Sequence, residues 1–323
     1  MKRLQPTLLC LAIIVSPILL GAQNASPALS YLQQINTEHN AVTNKNLEYI
    51  QYMVHIEDFN EIEKKRLEVI QQMDETIART AAMPAFEGNV AMRDEMLATV
   101  KSYRESFKVE FNELNLLKKE SKASYEAMEA YINAQDAAEK KLGQTSKKFY
   151  AAQKAFAKAN NITLVDGDDN TEVDQINRVN AYHRAIFLRY FKVSKNSAAF
   201  WDAVQKEDAK AMERARIMLS NDADAALLDL RKMPDFNGDK DYLNATIRIV
   251  EFYDNLAEEG YKQMTLVQRK TEMTQQDVDT YNGVVTYYNE NVNDFLKAYN
   301  DALNQLLRNN VPKPKTSTTT KRI

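Results

Sequence analysis

A six-residue turn occurs twice in this chain, and the spacing of its two copies constrains the fold more than any other feature. Met83-Pro84-Ala85-Phe86-Glu87-Gly88 returns 150 residues later as Met233-Pro234-Asp235-Phe236-Asn237-Gly238. The same offset pairs Val54, Glu57 and Asp58 with Val204, Glu207 and Asp208, and Arg66 with Arg216. It also pairs Tyr103 with Tyr253, Phe111 with Tyr261, Leu116 with Leu266, Tyr131 with Tyr281 and Ala152 with Ala302. No gap is needed from about Lys45/Lys195 to Asn160/Asn310. The register reads as a tandem duplication, so the 323 residues divide into two domains, each long enough to bury a core.

The class of those domains follows from what is scarce. Gly and Pro number 7 each, while the abundant Ala, Leu, Lys, Glu and Gln lose little side-chain freedom in a helix. An all-α fold is expected. Apolar residues recur at helical steps throughout. One expected helix runs from Ala28 to Glu57, and a second follows Asp58, which has Glu61 three residues on as in a capping box. Its apolar positions are Ile62, Leu67, Ile70, Met73 and Ile77. Proline and glycine stop it at the Met83–Gly88 turn, where Gly88 and Gly238 are expected to take positive φ and Phe86 to fold back on the helices.

The third helix has the cleanest stripe: Met92, Met96, Val100, Tyr103, Phe107, Phe111, Leu114 and Leu117. Ser124 and Thr274 occupy matched N-cap positions, and Thr274 has Asp277 at N3. The fourth stripe, Tyr131 to Phe156, matches Tyr281 to Leu306. Each half is therefore read as four helices joined by short connections, which make neighbours antiparallel. The expected architecture is two tandem antiparallel (up-down-up-down) four-helix bundles, residues 24–160 and 174–310. An acidic linker, 161–173, would join them, and a disordered basic tail, 311–323, would follow.

Residues 1–23 have the form of a signal peptide. Lys2-Arg3 is the positive start, Leu8 to Leu20 the apolar stretch, and Gly21-Ala22-Gln23 the small-residue cleavage region. That stretch is shorter than the roughly 20 residues a membrane span needs. The one cysteine, Cys10, lies within it, so the mature chain would have no disulfide and no thiolate chemistry. The formal charge of −3 becomes −5 without Lys2 and Arg3. It becomes −9 on the folded body once Lys313, Lys315, Lys321 and Arg322 of the tail are set aside. Such a body repels phosphate backbones, so no nucleic-acid partner is expected.

The search for chemistry yields little. Asp166, Asp168 and Asn170 match positions 1, 3 and 5 of a calcium loop. Thr171 stands where Gly is needed and Asn177 where Glu is needed, so a solvated acidic loop fits better. Asp235, Asn237, Asp239 and Asp241 make a second acidic turn, but its counterparts Ala85, Glu87, Asn89 and Ala91 do not keep the three aspartates. His39, His55 and His183 lack the Glu-x-x-His spacing of bundle metal sites and read as surface or boundary residues. No Gly-rich phosphate loop, nucleophile elbow or zinc-protease motif occurs. No cofactor, metal or catalytic residue is expected, and the chain is read as not an enzyme. Aromatic residues on more than one helix face do call for extra cover. Tyr190, Phe191, Phe200, Trp201, Phe252, Tyr287 and Tyr288 form the candidate contact surface.

With its leader ending in Gly21-Ala22-Gln23, its paired bundles and its Met-Pro-x-Phe-x-Gly turns, the chain resembles uncharacterised exported or surface proteins of Gram-negative bacteria with duplicated four-helix bundles. The resemblance implies a fold and a periplasmic or outer-surface location, and transfers no functional residue. The expected function is non-enzymatic, through protein or surface contacts in the cell envelope, with an unknown protein partner or envelope component. The alternative is a small-molecule or lipid carrier with an apolar pocket in or between the bundles.

Overall fold

The computed structural model describes residues 18–20, 26–56, 58–110, 125–166 and 172–314. The chain is all-helical. Helix α1 is Pro27–His55, α2 Phe59–Ala81 and α3 Ala91–Glu105, which continues as a π-helical turn, Ser106–Glu110. Helix α4 is Tyr125–Ala159, α5 Glu172–Gln205, α6 Ala209–Leu230 and α7 Asp241–Asn255. Through a second π turn, Leu256–Gly260, α7 passes into α8, Tyr261–Gln268, and α9 is Gln275–Asn310. A three-residue antiparallel pairing, Ile18–Leu20 with Leu164–Asp166, is a minor addition, built partly from residues assigned above to the leader.

The helix starts are chemically specified. Ser26 caps α1 by accepting from the Leu29 amide, with Pro27 at the first turn. Asp58 accepts from the amides of Asn60 and Glu61, and Asp208, at the 150-residue offset, accepts from Lys210 and Ala211. Thr274 and Asp277 bond reciprocally, as a capping box requires. Ser124, its expected counterpart, lies outside the described residues, as do Phe111, Leu114 and Leu117 of the third stripe.

The two Met-Pro turns match closely. Phe86 and Asn89 exchange both backbone hydrogen bonds, as do Phe236 and Asp239. In each turn two successive residues have positive φ: Glu87 at 49° and Gly88 at 80°, Asn237 at 55° and Gly238 at 89°. This is the sign pattern of a type I′ turn, in which glycine avoids the Cβ clash. Phe86 folds back between Tyr31 and Phe156, with both ring centroids 5.3 Å away.

Among the described residues, those up to 178 together with 310–314 belong to one compact unit, and 179–309 to the other. In the N-terminal unit α1 packs on α2, α2 on α3 and α3 on α4. Its core contains Leu32, Ile35, Met73, Met96, Tyr103, Phe107, Leu142 and Phe149. The buried face of α2 is turned from the expected one: Leu67 is exposed, and Arg66, Val69, Ile70, Met73, Thr76 and Thr80 point inward. The boundary falls inside α5 at Arg178/Val179, rather than in the expected 161–173 linker. Part of the reason is that the Gln51 side chain donates to Glu172 in the first turn of α5, tying that turn to α1. Residues 167–171 of the expected linker lie outside the described residues. The tail also begins in the fold: Val311 is buried, and its carbonyl oxygen is 2.7 Å from His55 Nε2. In the C-terminal unit α6 packs on α7 and α8, around Tyr190, Phe200, Leu219, Ile249, Val250, Tyr261, Tyr299 and Leu303. Among the described residues no helix is long and apolar enough to cross a membrane.

Candidate functional site

The seven residues singled out as a contact surface separate by position. Tyr190 and Phe200 are 0% exposed, Phe252 is 3% and Phe191 6%, so these four are core and not surface. Their helix faces are covered within the C-terminal unit itself: Tyr190 lies against Tyr299, Phe252 against Phe295, and Phe200 stacks on Tyr261 with centroids 3.9 Å apart. Two-faced aromatic patterning here reflects a helix packed on both sides. Trp201 and Tyr288 are half-buried, with rings 4.7 Å apart, and Tyr287 is 50% exposed. Only these last three remain at the rim. Tyr261, expected simply on a core stripe, holds Trp201 in place. Its hydroxyl accepts from Trp201 Nε1 at 2.8 Å and lies 3.4 Å from Ser197 Oγ.

Two histidines expected at the surface or at a boundary are instead deep in the core. His183 Nδ1 lies 2.9 Å from Tyr242 Oη, which is 2.9 Å from Tyr299 Oη. Burial lowers the His183 pKa to about 3 and raises the Tyr242 and Tyr299 pKa values. The imidazole is neutral at pH 7, and its Nδ1 is bonded to the Tyr242–Tyr299 hydroxyl pair. In the N-terminal unit His39 stacks on Phe149 at 4.6 Å, and burial lowers its pKa to about 4. Among the described residues, burial is the cause of both shifts, and no carboxylate contributes to either.

An open groove of about 590 Å³ lies in the C-terminal unit, between α6 and α7. Asp224, Leu228, Arg231, Glu251 and Asp254 line it. Arg231 Nη2 bonds to Glu251 Oε1 at 2.8 Å. Burial, then the charges of Asp224 and Glu258, raise the Asp254 pKa, and Arg231 opposes them. The groove is charged and not apolar, and no group of three or more His, Cys, Asp or Glu that could hold a metal ion occurs among the described residues.

The sequence reading missed one matched constellation. Arg66 Nη1 donates to the carbonyl oxygen of Phe107 at 2.6 Å, inside the first π turn, and its Nε and Nη2 grip Glu63. At the offset, Arg216 Nη1 donates to Ala257 O at 3.4 Å, inside the second π turn, and holds Glu213. A π turn disrupts the regular carbonyl pairing of a helix, and a guanidinium supplies the missing donors. The signal was present in the paired Arg66/Arg216 and Glu63/Glu213 positions, but a π turn has no sequence signature of its own. No family model, curated protein or solved structure matches the chain.

Proposed function

We propose that this chain is an exported, non-enzymatic component of a bacterial cell envelope that acts through contacts with a protein or surface component. In this reading it consists of two tandem antiparallel four-helix bundles that arose by duplication at a 150-residue offset, preceded by a cleaved leader. The observation that carries the reading is the recurrence of both turn geometry and buried chemistry at that offset: the positive-φ pairs at Glu87-Gly88 and Asn237-Gly238, and the Arg66 and Arg216 clasps on two π turns. These matched parts hold turns and helix irregularities in place, and among the features that differ between the halves is the aromatic rim of Trp201, Tyr287 and Tyr288. The alternative is a small-molecule or lipid carrier with an apolar pocket in or between the bundles; the groove on α6 and α7, lined by Asp224, Arg231, Glu251 and Asp254, is not such a pocket.

The test is expression of the full chain in a Gram-negative host, followed by mass spectrometry of the product and protease treatment of intact and permeabilised cells. The expected product lacks about the first 23 residues and is cut from outside the inner membrane. An uncleaved chain confined to the cytoplasm would overturn the export reading.

A further inference from the structure

Helix α9 has two halves of opposite quality. The buried residues of this helix, Val292, Leu296, Tyr299, Leu303, Leu306 and Leu307, all lie in its C-terminal half. Between Gln275 and Asn291 no side chain is buried. The offset counterpart on α4, Tyr125–Lys141, buries Met128, Tyr131, Ile132, Gln135 and Ala138. Helices are held mainly by the face they bury, because nucleation is costly and propensity is weak. The first half of α9 has only part of that support, from the half-buried Tyr281, Val284, Val285 and Tyr288.

Its composition does not compensate. The α4 segment is rich in Ala, Glu and Lys, whereas the α9 segment carries Val278, Thr280, Tyr281, Val284, Val285, Thr286, Tyr287 and Tyr288 around Gly283. β-Branched and aromatic residues lose side-chain freedom in a helix and suit extended chain better. Asn282-Gly283, flanked by such residues, is the dipeptide favoured in two-residue hairpin turns. Local preference and observed conformation conflict here, the mark of a segment held only by its surroundings.

This half covers an aromatic patch. The Tyr288 ring is 4.7 Å from Trp201, and the Tyr287 ring is 6.0 Å from Phe252. Val284 lies directly over Gly260, where an added Cβ would come within 2.8 Å of Val284 Cγ1. Phe252 and Tyr261 are buried in the same region.

We propose that Gln275–Asn291 is a lid that opens by local unfolding while Val292–Asn310 stays docked, uncovering Trp201, Phe252 and Tyr261. The motion depends on neither export nor a partner. It follows from sub-global opening, in which segments with few buried contacts open at a fraction of the global free energy.

The test is native-state amide exchange of the full chain, read by mass spectrometry, with acrylamide quenching of Trp201, the one tryptophan. Amides of the lid are expected to exchange about tenfold faster than those of Asn293–Asn310 and of the α4 counterpart. Gly283→Ala, whose methyl enters open space, should slow lid exchange about fivefold by raising helix propensity. Gly260→Ala should push Val284 outward, speed lid exchange and increase Trp201 quenching, and adding Val284→Ala should reverse both effects. Equal protection along the whole of α9 would overturn the proposal. So would equally fast exchange of its two halves, or a Gly283→Ala variant with unchanged lid exchange.

Discussion

His39 and His183 are the residues whose burial has the clearest consequence in solution. Each is neutral in the folded chain because an imidazolium cannot be solvated where it sits. Their folded pKa values, about 4 and about 3, lie below the ordinary 6.5. The unfolded chain therefore binds protons that the folded chain refuses, and stability is lost as pH falls from about 6.5 toward 4. Between pH 7 and 5 each histidine should cost its own unit about 2 kcal/mol. Urea denaturation at both pH values checks this against His39→Gln and His183→Gln. Each variant should flatten the pH dependence of its own unit, over and above any constant loss from repacking. His183 keeps its Tyr242 partner in the folded state, whereas His39 Nε2 has no hydrogen-bond partner among the described residues. The absolute cost of substitution should accordingly be greater at position 183.

At the scale of the element, the π turns show how a helix irregularity is stabilised. Arg66 is buried, with one edge held by Glu63 and the other directed at Phe107 O. Removing it leaves a buried carbonyl short of a donor, a loss of about 1–3 kcal/mol. Arg66→Ala should lower the stability of the N-terminal unit by that amount in chemical denaturation. Arg216→Ala should cost the C-terminal unit less, because its bond to Ala257 O is longer, at 3.4 Å, and Arg216 is less buried. A larger loss for Arg216→Ala would show that the clasp does not set the cost. Helix α2 carries the related lesson about reading faces. Leu67 looks inward on a helical wheel, yet the chain buries Arg66 beside it, because the π turn needs a guanidinium there more than the core needs another leucine.

At the scale of the whole molecule, the residues just beyond α9 belong to the N-terminal unit: 310–314 group with the described residues up to 178. Val311 is buried, and its carbonyl oxygen is within hydrogen-bond distance of His55. Ending the chain at Asn310 should therefore weaken the N-terminal unit by about 1–2 kcal/mol, the value of one buried valine, and leave the C-terminal unit unchanged. Two-probe unfolding, with Trp201 reporting the C-terminal unit and amide exchange the N-terminal one, separates these outcomes. The sequence alone was sufficient for the all-helical class, the caps at Asp58, Asp208 and Thr274, and the positive φ of Gly88 and Gly238. Those depend on residues a few positions apart, whose chemistry is local. It did not determine which aromatic residues reach the surface, that His39 and His183 are interior, that α2 turns Arg66 inward, or that Val311 joins the core. Each of those depends on which distant helix arrives to cover a given face, and only the folded chain decides that.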